Sequence, residues 1–288
     1  MVVANLKEHG LSERQACRVI DLSRCATRYV EQERHPALVE RIRQLARENP
    51  RYGYRRIWAV LRQEGVFVNR KTVHRICQRL GLQINRIRPK KKRLQSAMYP
   101  HQAMYPNHVW TMDFVHDRMA NNNSLRMLTL VDEYTRECLD IPVKRSMKAT
   151  DVQMALKGVI ADRGHSPVYI RSDNGSEFIA QALQTWLGQA GIASTFIEPG
   201  SPWQNGKCES FNGKFRDECL NMHVFHTLFE AKAIVRQWRK HYNERRPHSA
   251  LNYLTPQEYA SKLPKALRAP CREKPRPSSD KALLALSS

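Results

Sequence analysis

The segment VWTMDFVHD at residues 109–117 places a carboxylate inside an otherwise apolar strand pattern. Side chains alternate along a strand, so Asp113 shares one face with Val109, Thr111 and Val115, and Trp110, Met112 and Phe114 take the other. Burying an unpaired charge is costly, so Asp113 requires a cation or a network of hydrogen-bond donors. Taken alone, the pattern fits a structural ion pair and a metal ligand equally well.

The residues that follow alternate between strand and helix patterns, which is typical of an α/β domain. Strands are predicted over 125–134 and 136–143, forming an antiparallel meander with the strand of Asp113, and a helix over 149–163. The next apolar strand ends at Asp173, where Asn174-Gly175 is a turn pair. Ligands gather at the carboxyl ends of strands in open α/β sheets, so Asp173 lies at a candidate site.

A third acidic residue lies in a helix pattern further along the chain, after a predicted helix over 178–190 and a short strand, ASTFIEP. Ser201 and Pro202 suit the N-cap and first position of that helix. Its predicted buried stripe comprises Cys208, Phe211, Phe215 and Cys219. Glu209 and Arg216 are two turns apart on a neighbouring face, where they could serve a metal and a DNA phosphate or could simply face solvent.

The charge of the chain indicates a polyanionic partner. Lys and Arg number 48 against 27 Asp and Glu, which gives a formal net charge of +21. No apolar run approaches the length of a membrane span, and the N-terminus has no signal-peptide core, so we expect a cytoplasmic protein. The seven cysteines are scattered without zinc spacing, which argues against structural zinc and a disulfide framework.

The N-terminal part has the pattern of a helical DNA-binding region. Helical periodicity covers 37–48 and 55–64, and Asn69 is a candidate N-cap for a helix with one apolar face. The opposite face of that helix is suited to contact phosphates and base edges, although a solvated basic face is the alternative. That face comprises Arg70, Lys71, His74, Arg75, Gln78 and Arg79.

Two flanking segments add to this region. Residues 12–29 fit either a short helix-turn-helix or any two amphipathic helices. Between Gly65 and Met112 there are ten Lys and Arg and no acidic residue, ending in Lys90, Lys91, Lys92 and Arg93. This stretch predicts a linker that follows DNA, and a flexible solvated linker is compatible with that.

The three acidic motifs together resemble a known family. WTMDF, SDNGSEF and QNGKCESFNGKFRDE, with 35 residues between Asp173 and Glu209, are similar to the DDE integrase core. More closely, the chain resembles the OrfB proteins of the IS-three family of bacterial insertion sequences, whose C-terminal signature is matched by YNERRPHSALNYLTPQEY. Unlike retroviral integrases, the chain has no N-terminal Cys/His zinc module.

The resemblance implies an α/β fold: an RNase H-like integrase core with a mixed five-stranded sheet, preceded by an all-helical helix-turn-helix-type region. The expected boundaries are a short helix-turn-helix at 1–35, a DNA-binding domain at 36–83, a basic linker at 84–104, the core with C-terminal helices at 105–262 and a disordered tail at 263–288.

The resemblance also implies a DNA transposase. Asp113, Asp173 and Glu209 would be its catalytic, metal-binding triad, with Mg²⁺ as the cofactor and Mn²⁺ as a substitute, and Arg216 its following basic residue. Water would cleave one strand, and the freed 3′-OH would attack a second phosphodiester. Expected partners are the terminal inverted repeats, target DNA, an OrfA protein or frameshift fusion, and further copies on DNA, in the bacterial cytoplasm near the nucleoid.

Two other functions remain open from the sequence: a non-catalytic DNA-binding regulator of the same element, and a general RNase H-like nuclease. Several residues have open roles. His248 could contact DNA or pack a turn, with packing favoured, and Asn174 and Asn205 could position substrate. Four nearby acidic residues are expected to be structural or solvated: Asp117, Asp132, Glu133 and Glu177.

Overall fold

The computed structural model describes residues 2–24, 35–84, 102–196, 206–264 and 267. They belong to two compact units, Met1–Pro50 and Arg51–Ser288. The predicted basic run at 90–93, the predicted helix start at 201 and nearly all of the tail lie outside the described residues. None of the helices in the described part is long and apolar enough to cross a membrane.

The first unit is helical. Ser12 caps its second helix, because its side chain accepts a hydrogen bond from the Gln15 N–H and its own N–H donates to the Gln15 side chain. The chain then turns at Asp21, which has a φ of 52°. The second of the two helices predicted within 12–29 lies mostly outside the described residues. The helices are α1 (Val2–Glu8), α2 (Glu13–Val19) and α3 (Pro36–Glu48).

The second unit begins with two helices, α4 (Tyr54–Gln63) and α5 (Arg70–Arg79). The predicted cap of α5 is confirmed, since the Asn69 side chain accepts a 2.8 Å hydrogen bond from the Lys71 N–H. The predicted apolar face is confirmed as well. Its buried residues are Val73, Ile76 and Cys77.

A mixed sheet follows, with β1 at its centre. Strand β1 pairs antiparallel with β2 and parallel with β5, and the order across the sheet is β3-β2-β1-β5-β6, with β4 also paired to β2. The predicted meander and mixed sheet are therefore confirmed. The strands are β1 (Val109–Arg118), β2 (Ser124–Asp132), β3 (Cys138–Asp140), β4 (Val143–Lys144), β5 (Tyr169–Ser172) and β6 (Ala193–Phe196).

The strand predicted over 136–143 is wrong in extent, because two short strands take its place. Pro142 lies between β3 and β4 and has no N–H to donate to a ladder, although its carbonyl still accepts from the Leu128 N–H at 3.2 Å. An irregularity in β2 between Leu130 and Val131 also shifts the pairing with β3. The sheet therefore contains the five predicted strands and one more, β4.

Helices cover both faces of the sheet. The helix predicted over 178–190 is two helices, since Ala180 has an extended ψ of 126° and breaks it. The helices are α6 (Ala149–Arg163), α7 (Ser176–Ile179), α8 (Gln181–Gln189), α9 (Gly206–Glu218), α10 (Leu228–Glu244) and α11 (Pro256–Lys262).

The alternation along β1 divides the core into two layers, as the sequence predicts. Trp110 and Met112 pack against α6 and α8 on one face. Val115 packs on the other face against Phe211 and Phe215 of α9 and Trp238 of α10. The buried stripe predicted for α9 is confirmed, and it fixes the helix that carries Glu209 against the sheet.

A buried ion cluster joins α4 to the end of α9. Glu218 accepts two hydrogen bonds of 2.6 Å from Arg246 and one of 2.8 Å from Arg56 of α4. These two arginines hold the pKa of Glu218 below its usual range although burial opposes them. Helices α4 and α9 are thereby tied to the same carboxylate.

We expect Phe215→Ala to lower the free energy of unfolding by about 3–5 kcal/mol, since it leaves a cavity between α9 and α10. The matched control is Phe229→Ala, because that ring is 82% exposed and its loss should change stability by less than about 0.5 kcal/mol. Urea denaturation followed by circular dichroism measures both. Equal destabilisation by the two variants would contradict the packing described for α9.

Candidate active site

Asp113 lies in the middle of the sheet and is held by two donors. Its Oδ1 accepts a 2.7 Å hydrogen bond from the Phe114 N–H, and its Oδ2 accepts one of the same length from the Asn212 side chain. Asp113 pairs with Thr129 across the β1–β2 ladder. The half-buried carboxylate therefore has a fixed orientation, which meets the requirement that the sequence imposes on a charge in this strand.

Asp173 lies immediately after β5, beside Asp113. Thr111 pairs with Arg171, so Asp113 and Asp173 are each two residues further along adjacent parallel strands. The exposed Asp173 side chain accepts from the Gly175 N–H at 3.1 Å. A Cβ at Gly175 would lie 3.1 Å from Asp173 Oδ1 and 3.3 Å from the ring of Phe178, so glycine permits this tight turn.

Glu209 lies in the first turn of α9 and is exposed. It is three residues before Asn212, so both side chains lie on neighbouring positions of one helix face. Arg216 lies two turns after Glu209, and its guanidinium donates to the His116 carbonyl of β1 at 3.2 Å. Helix α9 thus brings Glu209, Asn212 and Arg216 over the strand that carries Asp113.

The three carboxylates interact electrostatically. Burial raises the pKa of Asp113 most, and the charges of Asp173 and Glu209 raise it further, while the two hydrogen-bond donors lower it; the result is about 6. Within the part of the chain that the structure describes, no three His, Cys, Asp or Glu side chains lie at metal-ligand spacing. Carboxylate oxygens are hard ligands that suit a divalent cation, and such a cation would offset the repulsion among the three carboxylates.

Asn212 is a site residue that the sequence analysis missed. Its amide N–H₂ donates to Asp113, and its Oδ1 accepts a 3.0 Å hydrogen bond from the Thr129 hydroxyl, so its orientation is set by β2. The spacing of three residues from Glu209 was the available signal. An asparagine at that spacing is also common on solvated helix faces, so only the contact with Asp113 identifies it.

The four acidic residues expected to be structural or solvated all have hydrogen-bond or ion-pair partners within the chain. Asp132 accepts from the backbone N–H groups of Asn107, Tyr134 and Thr135, and Asp117 accepts from the next N–H along the chain. Glu177 pairs with Arg126 at 2.5 Å. Glu133 is buried in an ion pair with Arg171.

The remaining predicted residues have different surroundings. Arg70, Lys71, Arg75, Gln78 and Arg79 are exposed on α5, and His74 is half-buried with its ring 4.2 Å from that of Tyr54. His248 is buried, its Nε2 accepts a 3.2 Å hydrogen bond from Arg246 and its ring contacts that of Tyr242, which supports its packing role. Burial and the charge of Arg246 lower the pKa of His248 to about 2, so its ring is neutral. Asn174 is exposed beside Asp173, and Asn205 lies outside the described residues.

Comparison with known proteins gives three domain matches along the chain. Residues 33–92 match the HTH-like domain, and residues 104–202 and 190–256 match two families that are each described as the integrase core domain. The helical N-terminal segment and the sheet with its following helices are therefore each recognised separately.

Insertion-element proteins match over most of the chain. The uncharacterized 31.7 kDa protein of insertion element IS407 from Burkholderia multivorans is 41% identical, over 88% of this chain and 92% of its own length. The uncharacterized 39.2 kDa protein of IS476 from Xanthomonas euvesicatoria is 40% identical, over 90% and 75%. Transposase InsD of IS2D from Escherichia coli is 29% identical, over 76% of each.

Among solved structures, the magnesium complex of the HTLV-2 integrase catalytic core in its trimeric form overlays with a TM-score of 0.43. It is 18% identical over 55% of this chain and 99% of its own. The simian T-cell lymphotropic virus intasome in complex with a regulatory subunit of PP2A has a TM-score of 0.47 and 19% identity, over 83% and 78%.

The mixed sheet, its acidic edge and the integrase core matches define a polynucleotidyl transferase with an RNase H-like fold. Such enzymes work with divalent metal. The chain belongs to the OrfB transposases of the IS-three family of bacterial insertion sequences. It is a DNA-binding enzyme of DNA transposition, so the predicted fold and function are confirmed.

We expect Asn212→Ala to reduce strand cleavage by roughly 10–100-fold, the usual effect of removing a hydrogen bond that orients a metal ligand, which is the role that the sequence predicts for Asp113. The matched control is Asn221→Ala, since Asn221 is exposed and follows the same helix. Cleavage of labelled DNA that carries the element ends measures both. Full activity in the Asn212 variant would show that the contact with Asp113 is dispensable.

Proposed function

We propose that Asp113, Asp173 and Glu209 together hold the divalent metal with which this transposase cuts and joins DNA, and that the metal is Mg²⁺, with Mn²⁺ as a substitute. One arrangement carries the proposal. Asp113 is fixed by Asn212, one turn from Glu209, while the pairing of β1 with β5 puts Asp173 alongside. Adjacent strands lie about 4.8 Å apart, so the carboxylates of Asp113 and Asp173 can approach a common ion.

The three carboxylates would have unequal roles. Asp113 is half-buried and fixed. Asp173 is exposed just after a strand, and Glu209 is exposed at the start of a helix. Their negative charges would be neutralised on metal binding, which removes the repulsion that raises the pKa of Asp113. A bound divalent ion would supply Lewis acidity at the scissile phosphate.

The chain's own residues position DNA for two successive displacements. In the first, water oxygen bonds to the phosphorus and the 3′ oxygen leaves with a proton as the free 3′-OH. In the second, that 3′-OH loses its proton as its oxygen bonds to a target phosphorus, and a target 3′ oxygen leaves and takes up a proton. Arg216 is exposed and next to β1, where its guanidinium could bind a phosphate during either displacement.

Helix α5 is proposed to read the element ends. Its outward face carries four exposed cations, and its N-cap and buried face fix which side is presented. His74 would contribute from the edge of this face, against Tyr54. The basic residues Lys90, Lys91, Lys92 and Arg93 would add contacts to the phosphate backbone.

The working complex is proposed to contain several copies on paired element ends, with an upstream OrfA protein or a frameshift fusion to it. The sequence carries no leucine-zipper heptads, so an OrfA partner would supply that means of association. We also expect the enzyme to be found with the nucleoid of the bacterial cytoplasm. Activity and DNA binding of this chain are therefore expected to differ with and without the product of the upstream frame.

We expect Glu209→Gln to abolish Mg²⁺-dependent cleavage and joining at the element ends, because the amide cannot supply the same charge, while binding to the ends persists. The matched control is Glu244→Gln, since Glu244 is exposed at the end of α10. A supercoiled plasmid with the native flanking DNA reports cleavage and joined products. Normal cleavage by the Glu209 variant would disprove the triad, and binding without cleavage in every sample would favour a regulatory role.

We expect Lys71→Ala with Arg75→Ala to weaken binding to the element ends and to reduce the slope of log K against log salt by about two, since each lost phosphate contact releases about one fewer counterion. Lys157→Ala is the control, because Lys157 is exposed on α6 beside Trp186. Fluorescence anisotropy across a salt series measures the slopes. An unchanged slope would assign DNA reading to another surface.

A further inference from the structure

Glu133 is a buried carboxylate that bridges two cations from different parts of the fold. It follows β2 directly, and its side chain is 1% exposed. One oxygen accepts from Arg171 at 2.5 Å and the other accepts from Lys207 at 3.0 Å. Arg171 is also buried, whereas Lys207 is about one-quarter exposed.

The two cations flank the proposed metal ligands. Arg171 lies in β5, two residues before Asp173, and Lys207 lies in the first turn of α9, two residues before Glu209. Through its two oxygens, Glu133 therefore connects the end of the strand that leads to Asp173 with the start of the helix that carries Glu209. These two acidic residues come from distant positions in the sequence, so their separation depends on contacts of this kind.

Stability alone does not account for a buried bridge of this type. Removing three charged groups from water costs free energy that their attraction only partly offsets, and apolar side chains of similar volume often stabilise a fold as well or better. A carboxylate with two defined oxygens does what apolar packing cannot, since it sets the direction and distance of both cations.

We propose that Glu133 is a positioning residue for the metal site, which sets the separation of Asp173 and Glu209 through Arg171 and Lys207. This inference rests on the proposed triad. Glu133 touches neither DNA nor metal. It acts by connecting the two segments that carry the exposed carboxylates, so that less rearrangement is needed for one divalent ion to bind both.

The test measures Mn²⁺ binding to the full chain in the absence of DNA. The electron paramagnetic resonance signal of free Mn²⁺ reports how much of the ion remains unbound. Glu133→Gln keeps the shape of the side chain but loses the charge that binds two cations, and we expect Mn²⁺ affinity to fall roughly 10–100-fold. In cleavage assays, the metal concentration for half-maximal rate should rise by the same factor, with little change in the rate at saturating metal.

The matched control is Glu137→Gln. Glu137 lies four residues further along, pairs with Arg163 at 3.0 Å and contacts neither α9 nor β5 in any described hydrogen bond or ion pair. It should leave Mn²⁺ affinity unchanged. Unchanged affinity in Glu133→Gln as well would overturn the inference, whatever its effect on thermal stability.

Lys207→Met and Lys207→Arg test the ion pair between Glu133 and α9 separately. They remain informative if Glu133→Gln fails to fold. Loss of Mn²⁺ affinity in Lys207→Met, restored in Lys207→Arg, is expected, and wild-type affinity in Lys207→Met would overturn the inference. Glu209→Gln separates the two proposals. If that variant keeps both Mn²⁺ affinity and cleavage, the triad itself is wrong; if it loses both while the Glu133 and Lys207 variants bind Mn²⁺ normally, only the role of Glu133 is wrong.

Discussion

Strand β1 is the constraint on which the site depends, because it is hydrogen-bonded on both sides and covered on both faces. A carboxylate in such a strand has few ways to be satisfied. Asp113 is satisfied by its neighbour's N–H and by Asn212, and Asn212 can reach it only because Phe211 and Phe215 hold α9 against the sheet. The orientation of the Asp113 carboxylate therefore depends on the apolar packing of α9.

The net charge of the whole chain is opposite in sign to the charge around Asp113. The chain as a whole carries a formal charge of +21, which attracts DNA over long distances. Around Asp113 the local charge is negative: burial raises its pKa most, and the charges of Asp173 and Glu209 raise it further. A phosphate is repelled there unless a cation is present, so the proposed site would favour its substrate only in the metal-bound state.

Sequence alone predicted the parts that depend on local pattern. The alternation around Asp113, the Asn69 cap and the buried stripe of α9 follow from strand and helix periodicity, which local residues determine. The break at Ala180 did not follow, because no proline or glycine marks it in the sequence. The role of Asn212 did not follow either, because it depends on a contact with Asp113, 99 positions away. The triad came from family resemblance, and its metal geometry stays a prediction.

The role proposed for Glu133 also could not be predicted from local sequence patterns. Its position next to Asp132 at the end of β2 indicated a structural acidic residue, which its buried ion pair agrees with. Its second partner, Lys207, is 74 positions away in the sequence. No periodicity relates residues at such a distance, so a carboxylate that joins two parts of the fold cannot be told from one that closes a strand.

The shared carboxylate of Glu218 links the helical segment proposed to bind DNA to the helix that carries part of the proposed metal site. Arg56 of α4 and Arg246 meet on it, at the far end of the helix that begins near Glu209. Helix α4 also packs against α5. If α5 reads the element end as proposed, the fold sets the number of base pairs between the sequence that is read and the bond that is broken. Replacing the DNA-contacting side chains of α5 would then change which sequence is bound but not that number.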